Sequence, residues 1–120
     1  MIVVCAVYYP GSTSDYAPNQ EELIDHIIDI VQRLKVKYSE PLFFIAGDLN
    51  DLNFGPLLKI CQFTQKVKVP TRENSILDCI ISNASDSLYH EPYTIPKIGS
   101  SDHSPVLYEP KVYRPPSPSC

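Results

Sequence analysis

The sequence has 120 residues, and its 10 Lys and Arg against 14 Asp and Glu give a net charge of −4. Hydrophobic residues make up 43% and charged residues 20%, which excludes a disordered, collagen-like or low-complexity chain. The length suffices for one domain with a modest core, and no apolar run reaches the roughly 18 residues that a membrane span needs.

Charge is distributed unevenly along the chain. Residues 1–30 contain five acids and no Lys or Arg, residues 31–72 contain seven bases and three acids, and residues 73–120 contain three bases and six acids. The basic segment over residues 31–72 could contact phosphate groups, but a chain with a net negative charge is a poor general binder of polyanions. A nucleic-acid substrate would therefore require local contacts or a metal ion to offset the repulsion.

The first third of the sequence predicts a strand and a helix. A continuous apolar run over residues 2–8 is typical of a buried strand. Apolar residues at helical spacing then predict a helix over 20–37, which Asn19 would cap, with Glu22 completing a capping box. His26 lies off the apolar stripe of this helix, so we expect it to be solvated rather than a ligand.

The remaining segments predict several short elements. They are a buried strand over 42–46, a short helix over 56–61, an exposed strand over 66–69, and strands over 76–81 and 106–108. The Pro-rich end of the chain is predicted to be a disordered tail. The order of strands and helices predicts an α/β layered fold with a mixed sheet.

The four cysteines do not suggest a metal site. Cys5, Cys61, Cys79 and Cys120 lie far apart, and Cys5 and Cys79 sit in apolar runs where they are expected to be small core residues. A reducing compartment is the better prediction, and the first residues do not resemble a secretory signal. We therefore expect an intracellular protein rather than a secreted one.

Polar residues follow three of the apolar runs. They are Asp48 with Asn50, then Asp78, and then Asp102 with His103. Ligand sites of layered α/β folds lie at strand ends, which favours a site here. Asp48 could deprotonate a water molecule, and Asn50 could orient that carboxylate or a substrate oxygen. Both could also be ordinary turn residues.

Asp78 is the strongest of these candidates. A single carboxylate within an otherwise apolar strand must be paired or hydrogen-bonded if it is buried. His103 is a natural partner, since a buried Asp that orients a His is a recurring catalytic unit. Gly47, just before Asp48, is expected to allow a sharp turn where its strand stops.

Four segments together resemble the endonuclease/exonuclease/phosphatase family, the DNase I-like metal-dependent phosphodiesterases. They are Val7-Tyr8-Tyr9-Pro10, Gly47-Asp48-Leu49-Asn50, Leu77-Asp78-Cys79-Ile80-Ile81-Ser82 and Ser101-Asp102-His103-Ser104-Pro105. Residues 71–83 most resemble the endonucleases of LINE-type retrotransposons. The resemblance implies that residues 1–112 are the C-terminal part of a DNase I-like α/β sandwich, with mixed sheets flanked by helices, and that 113–120 form the tail.

The resemblance also implies a role for each site residue. Asp48 would activate the attacking water, Asn50 would orient the site and touch the phosphate, and Tyr8 would hydrogen-bond the scissile phosphate. His103 would contact a phosphate oxygen while Asp78 fixes its ring. Asp102 would lie near the metal, Mg²⁺ or Mn²⁺, and the leaving group.

The resemblance further suggests DNA as the substrate and fusion to a reverse transcriptase in a longer reading frame. Arg72 and Lys68 are candidates for contact with the nucleic-acid backbone, although either could be a solvated surface charge. For Lys68, the surface charge is the stronger interpretation.

One departure from the family pattern limits the expected activity. Family members are roughly twice this length and carry a metal-binding Glu in their first half. Only seven residues precede Tyr8 here, and none is Glu. We therefore expect these 120 residues to be inactive alone. Two alternatives stay open, a catalytically dead fragment and another phosphoesterase of the same family.

Overall fold

The structure is a computed structural model that describes residues 1–111. Along this part of the chain lie β1 (Ile2–Tyr8), α1 (Gln20–Lys37), β2 (Leu42–Asp48), α2 (Gly55–Cys61), β3 (Thr64–Gln65), β4 (Asp78–Ser82), β5 (Tyr93–Thr94) and β6 (Val106–Leu107). The first four strands form a sheet in the order β1-β2-β4-β3, and β5 pairs with β6 separately. The predicted α/β arrangement with a mixed sheet is confirmed at this level.

The strands of the main sheet run in both directions. β1 and β2 are parallel and α1 connects them, whereas β4 is antiparallel to both β2 and β3. Because residues in register share a face, Cys5, Ile45 and Ile81 project to the same side. On that side the helices complete the core. The opposite face carries the register partners Asp48 and Asp78.

The predicted helix over 20–37 is confirmed with the same bounds. The Asn19 side chain accepts a hydrogen bond from the Glu22 backbone N–H at 3.1 Å, which is the expected cap. Ile24, Ile27 and Val31 are buried in the core. His26 is exposed, as the sequence pattern indicates.

β1 is not the fully buried strand that its apolar run predicts. Among residues 1–111 it lies at the edge of the sheet and pairs with β2 alone. Its odd-numbered residues pack against the core, but Ile2, Val4 and Tyr8 on the other face are 64%, 73% and 69% exposed. The apolar run therefore reflects an apolar outer face as well as a core-facing one.

The predicted exposed strand over 66–69 is wrong. The strand ends at Gln65, because the Gln65 side chain donates to the Val67 carbonyl at 2.7 Å and accepts from the Val67 N–H at 2.6 Å. Lys66 is only 7% exposed, and its ammonium donates to Ala84 O and Asp86 Oδ1, each at 2.9 Å. The Lys66 N–H still donates to the Ile80 carbonyl at 2.8 Å, and at Val67 the Gln65 side chain takes both backbone bonds of the ladder.

The other short elements match the sequence to different degrees. The strand predicted over 76–81 spans Asp78–Ser82, and the one predicted over 106–108 spans Val106–Leu107. The helix predicted over 56–61 begins one residue earlier, at Gly55. β5 was not predicted. The proposed tail at 113–120, and the domain boundary before it, lie outside the described residues.

Gly47 lies inside β2, and the expected sharp turn at this residue is wrong. β2 continues to Asp48, and Gly47 pairs with Val7 on β1 and with Cys79 on β4. A Cβ atom at Gly47 would collide with the backbone of Val7. The glycine is therefore required by the close approach of β1.

Two further features concern the helices and the cysteines of residues 1–111. No helix among residues 1–111 is long and apolar enough to cross a membrane. Cys61 and Cys79 are buried as free thiols, and Cys5 is partly buried against the core. The prediction that Cys79 is a small core residue is confirmed.

Candidate active site

Three of the predicted site residues lie in one row across the sheet. Tyr8 on β1 is in register with Asp48 on β2, and Asp48 is in register with Asp78 on β4. Register partners project to the same face, so the row runs along the face opposite the helices. The regular geometry of the sheet thus brings together side chains that are 30 to 40 residues apart in sequence.

A loop adds His103 to this row. The segment between β5 and β6 carries His103 over β4, and the imidazole Nδ1 lies 2.6 Å from Asp78 Oδ2. Because an ionised carboxylate only accepts hydrogen bonds, Nδ1 carries the proton and donates a hydrogen bond to Asp78 Oδ2. This bond is the main cause that raises the pKa of His103 above its ordinary value, and the nearby carboxylates add to the effect. The predicted Asp78–His103 pair is formed.

The second imidazole nitrogen faces two more carboxylates. His103 Nε2 lies 3.6 Å from Asp48 Oδ2 and 3.7 Å from Asp102 Oδ1, longer than hydrogen bonds. Asp102 in turn forms an ion pair with Arg72, whose Nε lies 2.9 Å from Asp102 Oδ2. Three carboxylates and one guanidinium leave a formal charge of −2 around a neutral imidazole, or −1 around an imidazolium.

Asn50 belongs to the turn after β2. Its backbone N–H donates to Asp48 Oδ1 at 3.3 Å, and its backbone adopts φ 45°, which Asn tolerates. The Asn50 side chain donates to the Tyr9 carbonyl at 2.6 Å and so ties this turn to the end of β1. Asp48 is both a turn residue and a site residue, since Oδ1 caps the turn while Oδ2 faces His103.

Thr71 organises the site without being predicted from the sequence. It is 1% exposed, and its hydroxyl accepts hydrogen bonds from the backbone N–H groups of Leu77 and Asp78, each at 3.1 Å. Its carbonyl accepts from the Ser104 N–H at 2.7 Å. One buried residue therefore holds both the start of β4 and the loop of His103. A Thr beside a predicted loop offers no sequence signal for this role.

The remaining candidates differ in their placement. Tyr8 belongs to the row, with an exposed side chain on the edge strand. Arg72 lies beside the cluster through its pair with Asp102. Lys68 is exposed and lines a groove together with Lys66 and Glu91. A separate cavity lies beside His103, and the groove and this cavity have no lining residue in common. The structure therefore does not bring Lys68 to the cluster.

A cavity of about 400 Å³ adjoins the cluster. Asp78, His103 and Ser101 supply polar groups to its wall, and Ile80 and Ile98 supply apolar surface. A cavity of this size is large enough for a nucleotide fragment or a small phosphoester.

The donor atoms of the cluster are compatible with a divalent cation. Asp48, Asp78 and His103 each offer one ligand atom, and these atoms lie within 4.8 Å of one another. Carboxylate oxygens suit Mg²⁺ and Mn²⁺, and an imidazole nitrogen is better suited to Mn²⁺. Asp102, the metal ligand expected from the family resemblance, is paired with Arg72 and would have to share its carboxylate.

Comparison of the chain with models of protein families, with curated proteins and with solved structures finds no match.

Proposed function

We propose that this chain carries the site of a metal-dependent phosphodiesterase, endonuclease-like and directed at DNA, with a DNase I-like fold. The single observation that carries the proposal is the contact of His103 with Asp78 at 2.6 Å, beside Asp48 and in line with Tyr8. An Asp that orients a His, next to a second carboxylate able to accept a proton, is a suitable arrangement for hydrolysis by an activated water.

Each side chain has a role in this proposal. Asp48 accepts the proton of the attacking water. His103, whose raised pKa favours the imidazolium, donates from Nε2 to a non-bridging phosphate oxygen, and Asp78 holds its ring. Tyr8 donates its hydroxyl to the same phosphate, and Asn50 supports Asp48 from the turn.

The charge of the cluster supports a requirement for a cation. A phosphodiester is an anion, and the formal charge of the cluster is −1 or −2, depending on whether His103 is protonated. Binding the substrate without a counter-charge would be repulsive in a partly buried site. Asp102, which would have to share its carboxylate with Arg72, would lie beside Mg²⁺ or Mn²⁺, and the ion would supply charge neutralisation at the phosphate and the leaving oxygen.

A chain without catalytic activity is the second candidate. The observation that favours it is the Arg72–Asp102 ion pair, which occupies the carboxylate expected to lie near the metal.

Binding and cleavage are best tested separately. In an NMR titration with Mg²⁺ or Mn²⁺ and a short DNA duplex, we expect the ring signals of His103 to shift. His26, exposed on α1, serves as an internal control. No change at His103 with either metal would contradict the proposal and favour the non-catalytic chain. A larger response to a phosphomonoester than to DNA would favour another phosphoesterase.

Cleavage is tested with supercoiled plasmid. We expect these 120 residues alone not to nick it in Mg²⁺. Clear nicking that disappears in Asp48→Ala and His103→Ala would support the proposed chemistry and overturn the expectation of inactivity. Nicking that persists in both variants would come from another source and would count against this site.

A further inference from the structure

A groove of about 780 Å³ lies at the opposite end of β4 from the candidate active site. Both residues of β3 form part of its wall, and β3 pairs with residues 81–82 at the end of β4. Asp78, which holds His103, begins the same strand, about 13 Å from its end at roughly 3.3 Å per residue. The groove is therefore separate from the acidic cluster.

Lys66 supplies a buried cation to the wall of this groove. Its side chain is only 7% exposed, and its ammonium group donates to the Ala84 carbonyl and to Asp86 Oδ1. An ammonium group has three donors, and within residues 1–111 only these two acceptors are bonded to it. One donor of a buried charge thus remains available to a ligand.

Two more ammonium groups of the wall lie near the same carboxylate. The hydrogen bond from Lys66 is the main cause that lowers the pKa of Asp86, and the charges of Lys68 and Lys111 add to the effect. Neither Lys68 nor Lys111 forms an ion pair with another residue of the described chain. The three lysines, with Asp86 and Glu91, give the wall a formal charge of +1, in a chain whose net charge is −4.

Tyr108 adds a hydroxyl group that has no partner. Its oxygen is buried, and it bonds to no group in the part of the chain that the structure describes. Burial is the main cause that raises the pKa of this phenol, so the hydroxyl stays a hydrogen-bond donor at neutral pH. A buried donor without an acceptor costs free energy, which an acceptor entering the groove would recover.

The rest of the wall includes apolar side chains. Leu58, Phe63 and Pro92 line the groove, and Phe63 and Pro92 are buried. A groove of this volume is much larger than a single phosphate and falls in the range of sites for small organic ligands. The wall therefore offers positive donors for an anionic group and apolar surface for an attached organic group.

We propose that this groove binds a phosphomonoester of nucleotide size, with its phosphate at Lys66, Lys68 and Lys111 and its organic part against the apolar wall. A phosphate group presents several strong acceptor oxygens, and lysine binds phosphate as a point charge. Asp86 and Glu91 confine the positive region, which suits one phosphate group better than a continuous nucleic-acid backbone. The proposal does not depend on the function proposed for the acidic cluster.

The three histidines of the chain report separately on the test. His90 lines the groove, His103 belongs to the acidic cluster, and His26 is exposed on α1. Inorganic phosphate and deoxyadenosine monophosphate are titrated without divalent metal, at constant pH and ionic strength, while NMR follows the ring signals. We expect saturable shifts at His90 and none at His26. The nucleotide should bind about tenfold more tightly than phosphate, because its nucleoside adds apolar contact.

Four variants test the donors of the groove. Lys68→Gln and Lys111→Gln should each weaken nucleotide binding about three- to tenfold, as expected for loss of one partly exposed charged contact. Lys59→Gln is the matched control, since Lys59 is exposed on α2 and does not line the groove. Tyr108→Phe should weaken binding without lowering stability in urea unfolding, because the hydroxyl it removes has no partner among residues 1–111.

Several outcomes would overturn the proposal. No shift at His90 with either probe would remove the site, and an equal response to sulfate would indicate an adventitious ion only. Tighter binding of deoxyadenosine than of inorganic phosphate, or affinity unchanged in Lys68→Gln and Lys111→Gln, would refute the assigned phosphate contact. Shifts at His103 without shifts at His90 would also refute the groove, and they would leave the function proposed for the cluster standing.

Discussion

Replacing Thr71 should show how much its hydroxyl stabilises the start of β4, because the substitution leaves every proposed catalytic side chain in place. Thr71→Val keeps the shape of the side chain but removes the oxygen that accepts from the N–H groups of Leu77 and Asp78. Each hydrogen bond contributes about 0.5–1.5 kcal/mol, so the free energy of unfolding should fall by about 1–3 kcal/mol. Leu77 and Asp78 are only half-buried, and water can reach their freed donors, which favours the lower part of this range.

Thr71→Ser is the matched control for this prediction. It keeps the hydroxyl and removes one methyl group, at a cost of about 0.8 kcal/mol. Urea unfolding gives both losses of free energy, and amide hydrogen exchange locates them. Thr71→Val should expose the amides of Leu77 and Asp78 to exchange, whereas Thr71→Ser should keep them protected. Equal protection of these amides in the two variants would refute the role assigned to the hydroxyl.

Three further predictions concern the sheet, the imidazole and a buried thiol. Gly47→Ala should lower the free energy of unfolding by about 1–3 kcal/mol, because the new methyl group would collide with the backbone of Val7; urea unfolding measures this loss. Asp78→Asn should lower the pKa of His103 toward its ordinary value in NMR titration, because the Asp78 hydrogen bond is the main cause of the raised pKa. The stability that wild type gains from this pair should be full below about pH 6.5 and decline as the pH rises through the raised pKa of folded His103. Cys79 should resist alkylation in the folded protein, because burial raises its pKa to about 11, and mass spectrometry should show rapid labelling after unfolding.

Each of these predictions has a control within the chain. Gly55→Ala adds a methyl group near only the Asn53 side chain and should leave the stability of the protein almost unchanged. The pKa of His26 should not respond to Asp78→Asn, since His26 is exposed on α1. Cys5, which is only partly buried, should be labelled faster than Cys79. If a control changed as much as the variant or residue it is compared with, the corresponding explanation would be contradicted.

Local sequence patterns predicted both helices and four of the strands, but they missed the two-residue strands β3 and β5. The bounds of α1 follow from its apolar spacing and from the Asn19 cap, both of which lie within the helix or next to it. β5 has two residues and exists because Tyr93 and Thr94 pair with β6, far along the chain. No pattern of two residues contains that information. The failed strand at 66–69 has the same cause, since its alternation is overridden by the Gln65 side chain and by Asp86.

For the site, the sequence predicted the candidate residues and the Asp78–His103 pair, but it did not predict the surrounding contacts of Thr71 and Arg72. Asp78 stood out because a carboxylate in an apolar strand needs a partner, and the partner is the expected His103. The pairing of Arg72 with Asp102 could not be predicted, because two loops bring these residues together. The same holds for Lys68, whose position depends on the turn that ends β3.

The residues of the candidate site differ in how many hydrogen bonds fix their backbone and side chains. Asp78 is in register with Asp48 on β2, and its backbone N–H donates to the Thr71 hydroxyl. Asp48 is in register with both Tyr8 and Asp78, and its carboxylate accepts from the following turn. Tyr8 lies on β1, which in the described part of the chain pairs with β2 alone. Among the described residues, the Tyr8 end of the row is therefore the part of the site that the sheet holds with the fewest backbone hydrogen bonds.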